Sequence, residues 1–129
     1  TTSRPPFDDI RARQAVAYAT DPQMAIDIIY GGLTNREWCP VARGVFGNDQ
    51  DFCKQYGYPY DPEKAKELLA ASGFSTDNPV KFKIQTTKGF KPKDYEMIQA
   101  IVGLWRKVGI DGFVCGVDAT SWLGTESGW

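Results

Sequence analysis

The sequence predicts an α/β fold in which several helices flank one strand–helix–strand unit. Apolar residues alternate with lysine and glutamine over residues 80–85, which is the pattern of a half-buried strand. Residues 92–108 then repeat apolar residues at helical spacing, and a second apolar run occupies residues 110–117. Two strands joined by such a helix predict a parallel pair with a right-handed crossover. With 129 residues, 42% of them hydrophobic, the chain can bury the core of a single domain.

Residues 1–32 are predicted to form a helical pair. Asp8 or Asp9 can cap the first helix, because either carboxylate can accept from the free N–H groups of a first turn. Pro22 ends that helix and suits the first turn of a second helix. The glycines at 31–32 are predicted to terminate the second helix.

Residues 33–60 are predicted to be a long irregular loop that is rich in glycine, proline and aromatic residues. These aromatic side chains either fix the loop to the core or line a ligand groove. Cys39 and Cys53 both fall in the loop, where a disulfide would brace it, and two separate thiols are the alternative. Cys115 lies in an apolar run and is predicted to be a buried small hydrophobic residue.

The rest of the chain is predicted to contain two further helices beside the strand–helix–strand unit. Residues 61–74 have an aspartate cap, a proline in the first turn and a closing glycine. The strand–helix–strand unit covers residues 80–117, and its helix is predicted to begin at Pro92. Residues 118–129 are predicted to be a truncated helix that Asp118 caps.

Charge and residue types exclude several classes of function. Fifteen basic and sixteen acidic residues give a net charge of −1, which disfavours a general nucleic-acid-binding strategy. The chain has no histidine, so serine–histidine and cysteine–histidine dyads are excluded. Phosphate-binding glycine motifs are absent, and the paired carboxylates, which fall at helix starts or in a loop, are interpreted as helix caps or solvated charges. We therefore predict no enzyme, no catalytic residue, no metal site, no cofactor and no membrane-spanning segment.

Three segments, in order, resemble one protein family. Residues 6–19 read P-F-D-D-I-R-A-R-Q-A-V-A-Y-A, and residues 60–70 read Y-D-P-E-K-A-K-E-L-L-A, followed by Gly73-Phe74. Residues 105–110, which read W-R-K-V-G-I, lead into the second predicted strand. Together these segments are similar to the oligopeptide/dipeptide/nickel family of extracellular solute-binding proteins, the capture subunits of ABC importers.

The resemblance implies a partial C-terminal lobe over residues 1–129, in a periplasmic-binding-protein-like (class II) two-lobe fold. It implies that the protein binds a small molecule or short peptide non-covalently between two lobes, with peptides as the leading ligand class. The implied partners are the ABC permease subunits, and the charge balance already predicts no nucleic-acid partner. The implied location is extracytoplasmic, either periplasmic or as a cell-surface lipoprotein. An oxidising location would favour the bridge between Cys39 and Cys53.

The resemblance also suggests candidate ligand contacts. Trp38 and Pro40 lie in the loop that approaches the ligand in peptide-binding relatives of this kind. Trp122, Thr125 and Glu126 lie in the predicted helix after the second strand, which points to the cleft in the family. Glu126 departs from the basic residues that hold a ligand carboxylate in some members.

Two alternatives from other functional classes stay open at this point. The first is a self-contained protein-interaction module built on the same piece of fold. The second is a thiol-dependent enzyme that uses Cys39 or Cys53, which would require one reactive thiol with a low pKa.

Overall fold

A computed structural model describes residues 3–117. The predicted helix at 118–129 lies outside these residues. Within them, no helix combines the length and the apolar character that crossing a bilayer would require. The elements, in chain order, are α1 (Ile10–Tyr18), α2 (Pro22–Ile29), α3 (Gln50–Tyr56), α4 (Pro62–Ala71), β1 (Val80–Thr87), α5 (Asp94–Arg106) and β2 (Ile110–Val117).

Aspartate side chains start four of the five helices. Asp9, rather than Asp8, caps α1 by accepting from the backbone N of Arg11 at 2.8 Å. Asp21 and Asp61 cap α2 and α4 in the same way, and each is followed by a proline in the first turn. The predicted helical pair and the predicted helix within 61–74 are therefore both present.

The core lies where α1, α4, α5 and the sheet meet. Small residues on α1 and α4, including Ala15 and Ala65, are fully buried and let the two helices approach closely. Trp105 of α5 packs into the same cluster, and its indole N–H donates to Thr20 Oγ1 at 2.9 Å. This bond satisfies a polar group that would otherwise be costly to bury.

The two strands form a parallel pair, as the alternation predicts. Their register runs from Val80 opposite Ile110 to Thr87 opposite Val117. On one face of the sheet Gly112 gives α5 room, because a Cβ there would lie 3.2 Å from Val102 Cγ2. The strand–helix–strand prediction is confirmed, and β1 extends two residues beyond the predicted Gln85.

The predicted loop at 33–60 contains a helix that the sequence did not indicate. Asp49 caps this helix, α3, by accepting from the backbone N of Phe52 at 3.0 Å. None of its seven residues is buried, so it has no apolar stripe that periodicity could detect.

Two smaller predictions are also wrong. Helix α5 begins at Asp94 rather than Pro92, because Lys93 adopts a left-handed conformation with φ of 57°. Cys115 is half-buried rather than buried. It alternates with Gly116, whose position faces Tyr95 of α5, so the Cys115 side chain lies on the other face of the sheet.

We expect Gly109→Ala to lower the free energy of unfolding by about 2 kcal/mol. Gly109 has φ of 96°, and a Cβ there would lie 2.7 Å from the backbone C of Ser75. Gly103→Ala is the matched control, since Gly103 lies within α5 and its Cβ position has no atom within 4 Å apart from the backbone of its own helix. Urea unfolding should show the control unchanged or stabilised by up to about 1 kcal/mol. Equal stability of the two variants would contradict the role given to Gly109.

Candidate functional site

In proteins built on open α/β sheets, ligands bind outside the carboxyl ends of the parallel strands. A cavity of about 290 Å³ lies at the carboxyl end of β1, beside the first turns of α5. We call it the strand-end cavity. Its lining residues are Gln85, Thr86, Thr87, Phe90, Lys91, Asp94, Met97 and Ile98.

The Asp94 carboxylate organises the loop between β1 and α5. It is only 7% exposed, and it accepts hydrogen bonds from one hydroxyl and four backbone N–H groups. The Thr87 hydroxyl and the loop N–H groups hold the pKa of Asp94 well below its usual range. The donors are Thr87 Oγ1 at 2.6 Å and the backbone nitrogens of Gly89 at 3.0 Å, Phe90 and Lys91 at 3.1 Å, and Tyr95 at 2.9 Å.

A second cavity, of about 210 Å³, lies between α2 and α5. We call it the α2–α5 cavity. The lining of this cavity is apolar where the two helices form it and polar where residues 35–37 form it. The wall includes Ala25, Ile26, Met97 and Ile101, and the polar residues include Asn35, Arg36 and Glu37.

The two cavities are neighbours. Met97 lines both of them. The hydroxyl of Tyr30, at the end of α2, donates to the carbonyl of Pro92 in the β1–α5 loop at 3.0 Å. This bond joins the end of α2, which lines the α2–α5 cavity, to the β1–α5 loop, which lines the strand-end cavity.

Trp38 forms a platform beneath Arg36. The guanidinium carbon of Arg36 lies 3.4 Å from the centroid of the Trp38 ring, which is a close cation–π contact. Gly57 packs against the edge of the Trp38 ring, and a Cβ at that position would lie only 3.0 Å from Trp38 Cε3. The backbone N of Trp38 donates to Gln50 Oε1 at 3.1 Å. Partial burial lowers the pKa of the Arg36 guanidinium, while the charge of Asp21 opposes that shift.

A disulfide joins Cys39 and Cys53, with a Cα–Cα distance of 5.3 Å. It ties the segment that follows Trp38 to α3. The sequence left open whether these residues form a bridge or two separate thiols, and the structure contains the bridge. The thiol-dependent enzyme that the sequence allowed would need one of these sulfurs free, so the bridged state does not supply its nucleophile.

The structure describes two of the five candidate ligand contacts that the resemblance suggested. Trp38 reaches the α2–α5 cavity only through Arg36, which lines it. Pro40 is exposed on the same segment. The other three candidates, Trp122, Thr125 and Glu126, lie outside the described residues.

Sequence reasoning missed three residues of this region, which are Tyr30, Arg36 and Asp94. An available signal for Asp94 was its place in the first turn of the helix that follows a predicted parallel strand. No comparable signal marked Arg36. In residues 3–117, no group of three or more cysteine, aspartate, glutamate or histidine side chains is placed to hold a metal ion.

Comparison with known proteins identifies one family, and its match covers nearly the whole chain. The family model of bacterial extracellular solute-binding proteins, family 5 Middle, matches residues 1–128. Heme-binding protein A of Haemophilus influenzae is 33% identical over 110 residues, covering 84% of this chain and 20% of that protein. The dipeptide-binding protein of Escherichia coli is 32% identical over 112 residues, covering 81% of this chain and 19% of that protein. The chain thus spans about a fifth of the length of these relatives.

Solved structures share the fold. MoaA from A. tumefaciens R10, solved in complex with mannopinic acid, superposes with a TM-score of 0.79 at 26% sequence identity. The match covers 96% of this chain and 24% of that chain.

Proposed function

This chain belongs to the bacterial extracellular solute-binding proteins of family 5, and from that premise we propose that it forms part of the ligand-binding lobe of an ABC-importer capture subunit. The observation that carries the proposal is the family match over residues 1–128. The predicted fold class, a piece of a class II two-lobe binding protein, is confirmed by the solved relatives.

The two cavities fit one half of a binding cleft. Each is open, and together they offer an apolar floor with a few polar groups at the edge, as small-molecule sites do. In this proposal a second lobe covers the ligand from the opposite side by hinge closure. Capture is non-covalent, so the proposed role is binding rather than catalysis.

We propose peptides as the ligand class. Support comes from the E. coli relative, whose name gives it as dipeptide-binding. Two other ligand classes are to be compared with peptides. Heme is one, because the H. influenzae relative is named as heme-binding. Acidic sugar derivatives are the other, because MoaA was solved with mannopinic acid. Trp38 is proposed to act through Arg36, and Pro40 is proposed to contact the ligand. Trp122, Thr125 and Glu126 remain proposed contacts on the strength of the resemblance alone.

The proposed partners are the permease subunits of the importer, to which the closed protein delivers its ligand. The family's description as extracellular supports an extracytoplasmic location. A periplasmic protein and a cell-surface lipoprotein are both consistent with this proposal. The family match and the curated relatives give no support to the alternative of a self-contained interaction module.

The test uses the protein as its gene encodes it, in a thermal-shift screen with di- and tripeptides, heme, nickel–histidine and acidic sugar derivatives. A ligand at 100 times its Kd should raise the free energy of unfolding by about 2.7 kcal/mol. We expect the largest shift with peptides.

Met97→Glu should abolish that shift, because Met97 lines both cavities. Gln99→Glu is the control, since Gln99 is exposed on the same helix. A protein that shows no shift with any of the four classes would contradict the proposed function. A shift that Met97→Glu leaves intact would place the site elsewhere.

A further inference from the structure

We propose that residues 36–58, which we call the bridged segment, form a docking surface for an apolar pocket on the permease of the importer. The inference rests on the proposed function, because a capture subunit must bind a permease and then leave it. It assigns the contact to the exposed apolar side chains of the segment, which are Val45, Phe46, Phe52 and Tyr56.

Exposed apolar side chains are concentrated in the bridged segment. Phe46 is fully exposed, and Val45, Phe52 and Tyr56 each expose more than half of their surface. The rings of Phe52 and Tyr56 lie on one face of α3, with their centroids 4.7 Å apart. A group of such side chains marks an interaction surface, whereas single exposed apolar residues that are scattered over a protein are normal.

A tight turn carries Val45 and Phe46 at the tip of the segment. Gly44 and Gly47 flank this pair with φ of 82° and 90°, so the chain changes direction on both sides of it. The backbone N of Asn48 donates to the carbonyl of Val45 at 3.1 Å, which closes the turn. The turn therefore fixes the backbone that presents Phe46 to solvent.

The bridged segment is braced by its own residues. The Cys39–Cys53 disulfide closes it, and Gln50 Nε2 donates to Glu37 Oε2 at 2.8 Å across the loop. The side chain of Asn48 donates to the carbonyl of Val41 within the same segment. A surface that is ordered before binding loses less conformational entropy on association, so more of the contact energy appears as affinity.

The charge of the bridged segment favours an apolar protein pocket over a lipid or nucleic-acid surface. The segment carries three basic and three acidic residues, so its net charge is zero. Arg43 and Glu37 already form an ion pair with each other. Anionic lipids and nucleic acids attract surfaces with an excess of basic residues, which this segment lacks. The proposed contact is therefore apolar and depends only weakly on salt.

The size of the surface favours a partner that binds and leaves. An aromatic side chain contributes roughly 150–250 Å² when it is fully covered. At their observed exposures, Phe46, Phe52 and Tyr56 therefore offer on the order of 450 Å². A stable interface covers about 800 Å² on each partner, so a lasting dimer of this chain would need much more surface. A transient contact with the permease would not.

The test measures, by biolayer interferometry, how the protein as its gene encodes it binds the importer's permease in nanodiscs of phosphatidylglycerol and phosphatidylcholine. Empty nanodiscs are the reference. Phe46→Ser should weaken binding about 10-fold, and Phe46→Ser combined with Phe52→Ser about 100-fold. Phe113→Ser is the matched control, because Phe113 is as exposed as Tyr56 but lies on β2. It should change the affinity by less than about 2-fold.

Salt and ligand measurements complete the test. Raising the salt concentration from about 50 to about 500 mM should change the wild-type affinity by less than about 3-fold. The double variant should keep the wild-type thermal shift with ligand, because its two changes lie outside both cavities. Binding that high salt abolishes would overturn the apolar contact.

Four other results would overturn the docking assignment. The first is permease binding that survives the double substitution. The second is binding to empty nanodiscs that depends on Phe46, which would make lipid the partner. The third is a double variant that loses its thermal shift with ligand, which would place the surface against the second lobe. The fourth is self-association that the double variant loses, which would place the surface between two copies.

The wild-type protein separates failure of this inference from failure of the proposed function. If it does not bind the permease but shows a thermal shift with one of the four ligand classes, the docking surface is wrong and the binding function stands. If it shows neither permease binding nor any thermal shift, the proposed function fails together with the docking surface.

Discussion

Asp94→Asn is expected to lower the midpoint of thermal unfolding by roughly 10 °C at pH 7. The wild-type carboxylate accepts from the hydroxyl of Thr87 and from backbone N–H groups around the β1–α5 loop. An asparagine at this site keeps one acceptor oxygen and turns an NH₂ group toward N–H donors. The loop would lose its central acceptor and a wall of the strand-end cavity would be displaced.

The control for this variant is Glu96→Gln, which neutralises an exposed acid in the same turn of α5. It should shift the unfolding midpoint by no more than about 2 °C. Calorimetry of both variants separates the local bonds of Asp94 from a general effect of charge near the helix start. A similar midpoint shift in the two variants would contradict the organising role of Asp94.

The stability that Asp94 provides should depend on pH in a defined direction. Its pKa is lowered in the folded state, so its contribution is fully present above the unfolded-state pKa of about 4. The contribution is lost as pH falls from there toward the folded-state pKa. The difference in midpoint between wild type and Asp94→Asn should therefore be constant from pH 7 to about pH 5 and then shrink. A difference that stays constant down to pH 2.5 would rule out this linkage.

The parts of the fold that the sequence predicted well are those fixed by local chemistry. Asp21 followed by Pro22, and Asp61 followed by Pro62, supply both the side-chain acceptor and the backbone geometry of a helix start. Likewise, Val80 is buried and its neighbour Lys81 is exposed, so the alternation in the sequence reflects one buried and one exposed face of β1. These signals act within a few residues, so a single sequence carries them.

The parts that were missed depend on contacts or on backbone states that composition does not encode. Helix α3 buries no residue, so it leaves no periodic trace. The start of α5 was misplaced because Lys93 takes a left-handed conformation that glycine or asparagine would usually signal. The α2–α5 cavity joins Arg36 to Met97 across 61 positions of the chain, and only the folded arrangement brings them together.

Removal of the Cys39–Cys53 bridge is expected to reduce the stability of the protein. On the chain-entropy model, a loop with a sequence separation of 14 contributes about 3 kcal/mol when it is closed by a disulfide. A double variant, Cys39→Ser with Cys53→Ser, should lower the free energy of unfolding in urea by about that amount. Reduction of the wild-type protein should have the same effect.

The bridge should also affect Arg36, because Cys39 directly follows the Trp38 platform and the disulfide ties that segment to α3. Without it, Trp38 and Arg36 should be less well held against α3. Cys115→Ser is the control, since this half-buried cysteine of β2 is not bridged, and it should change the stability only slightly. A double variant as stable as the wild-type protein would show that the bridge does not brace the 33–60 segment.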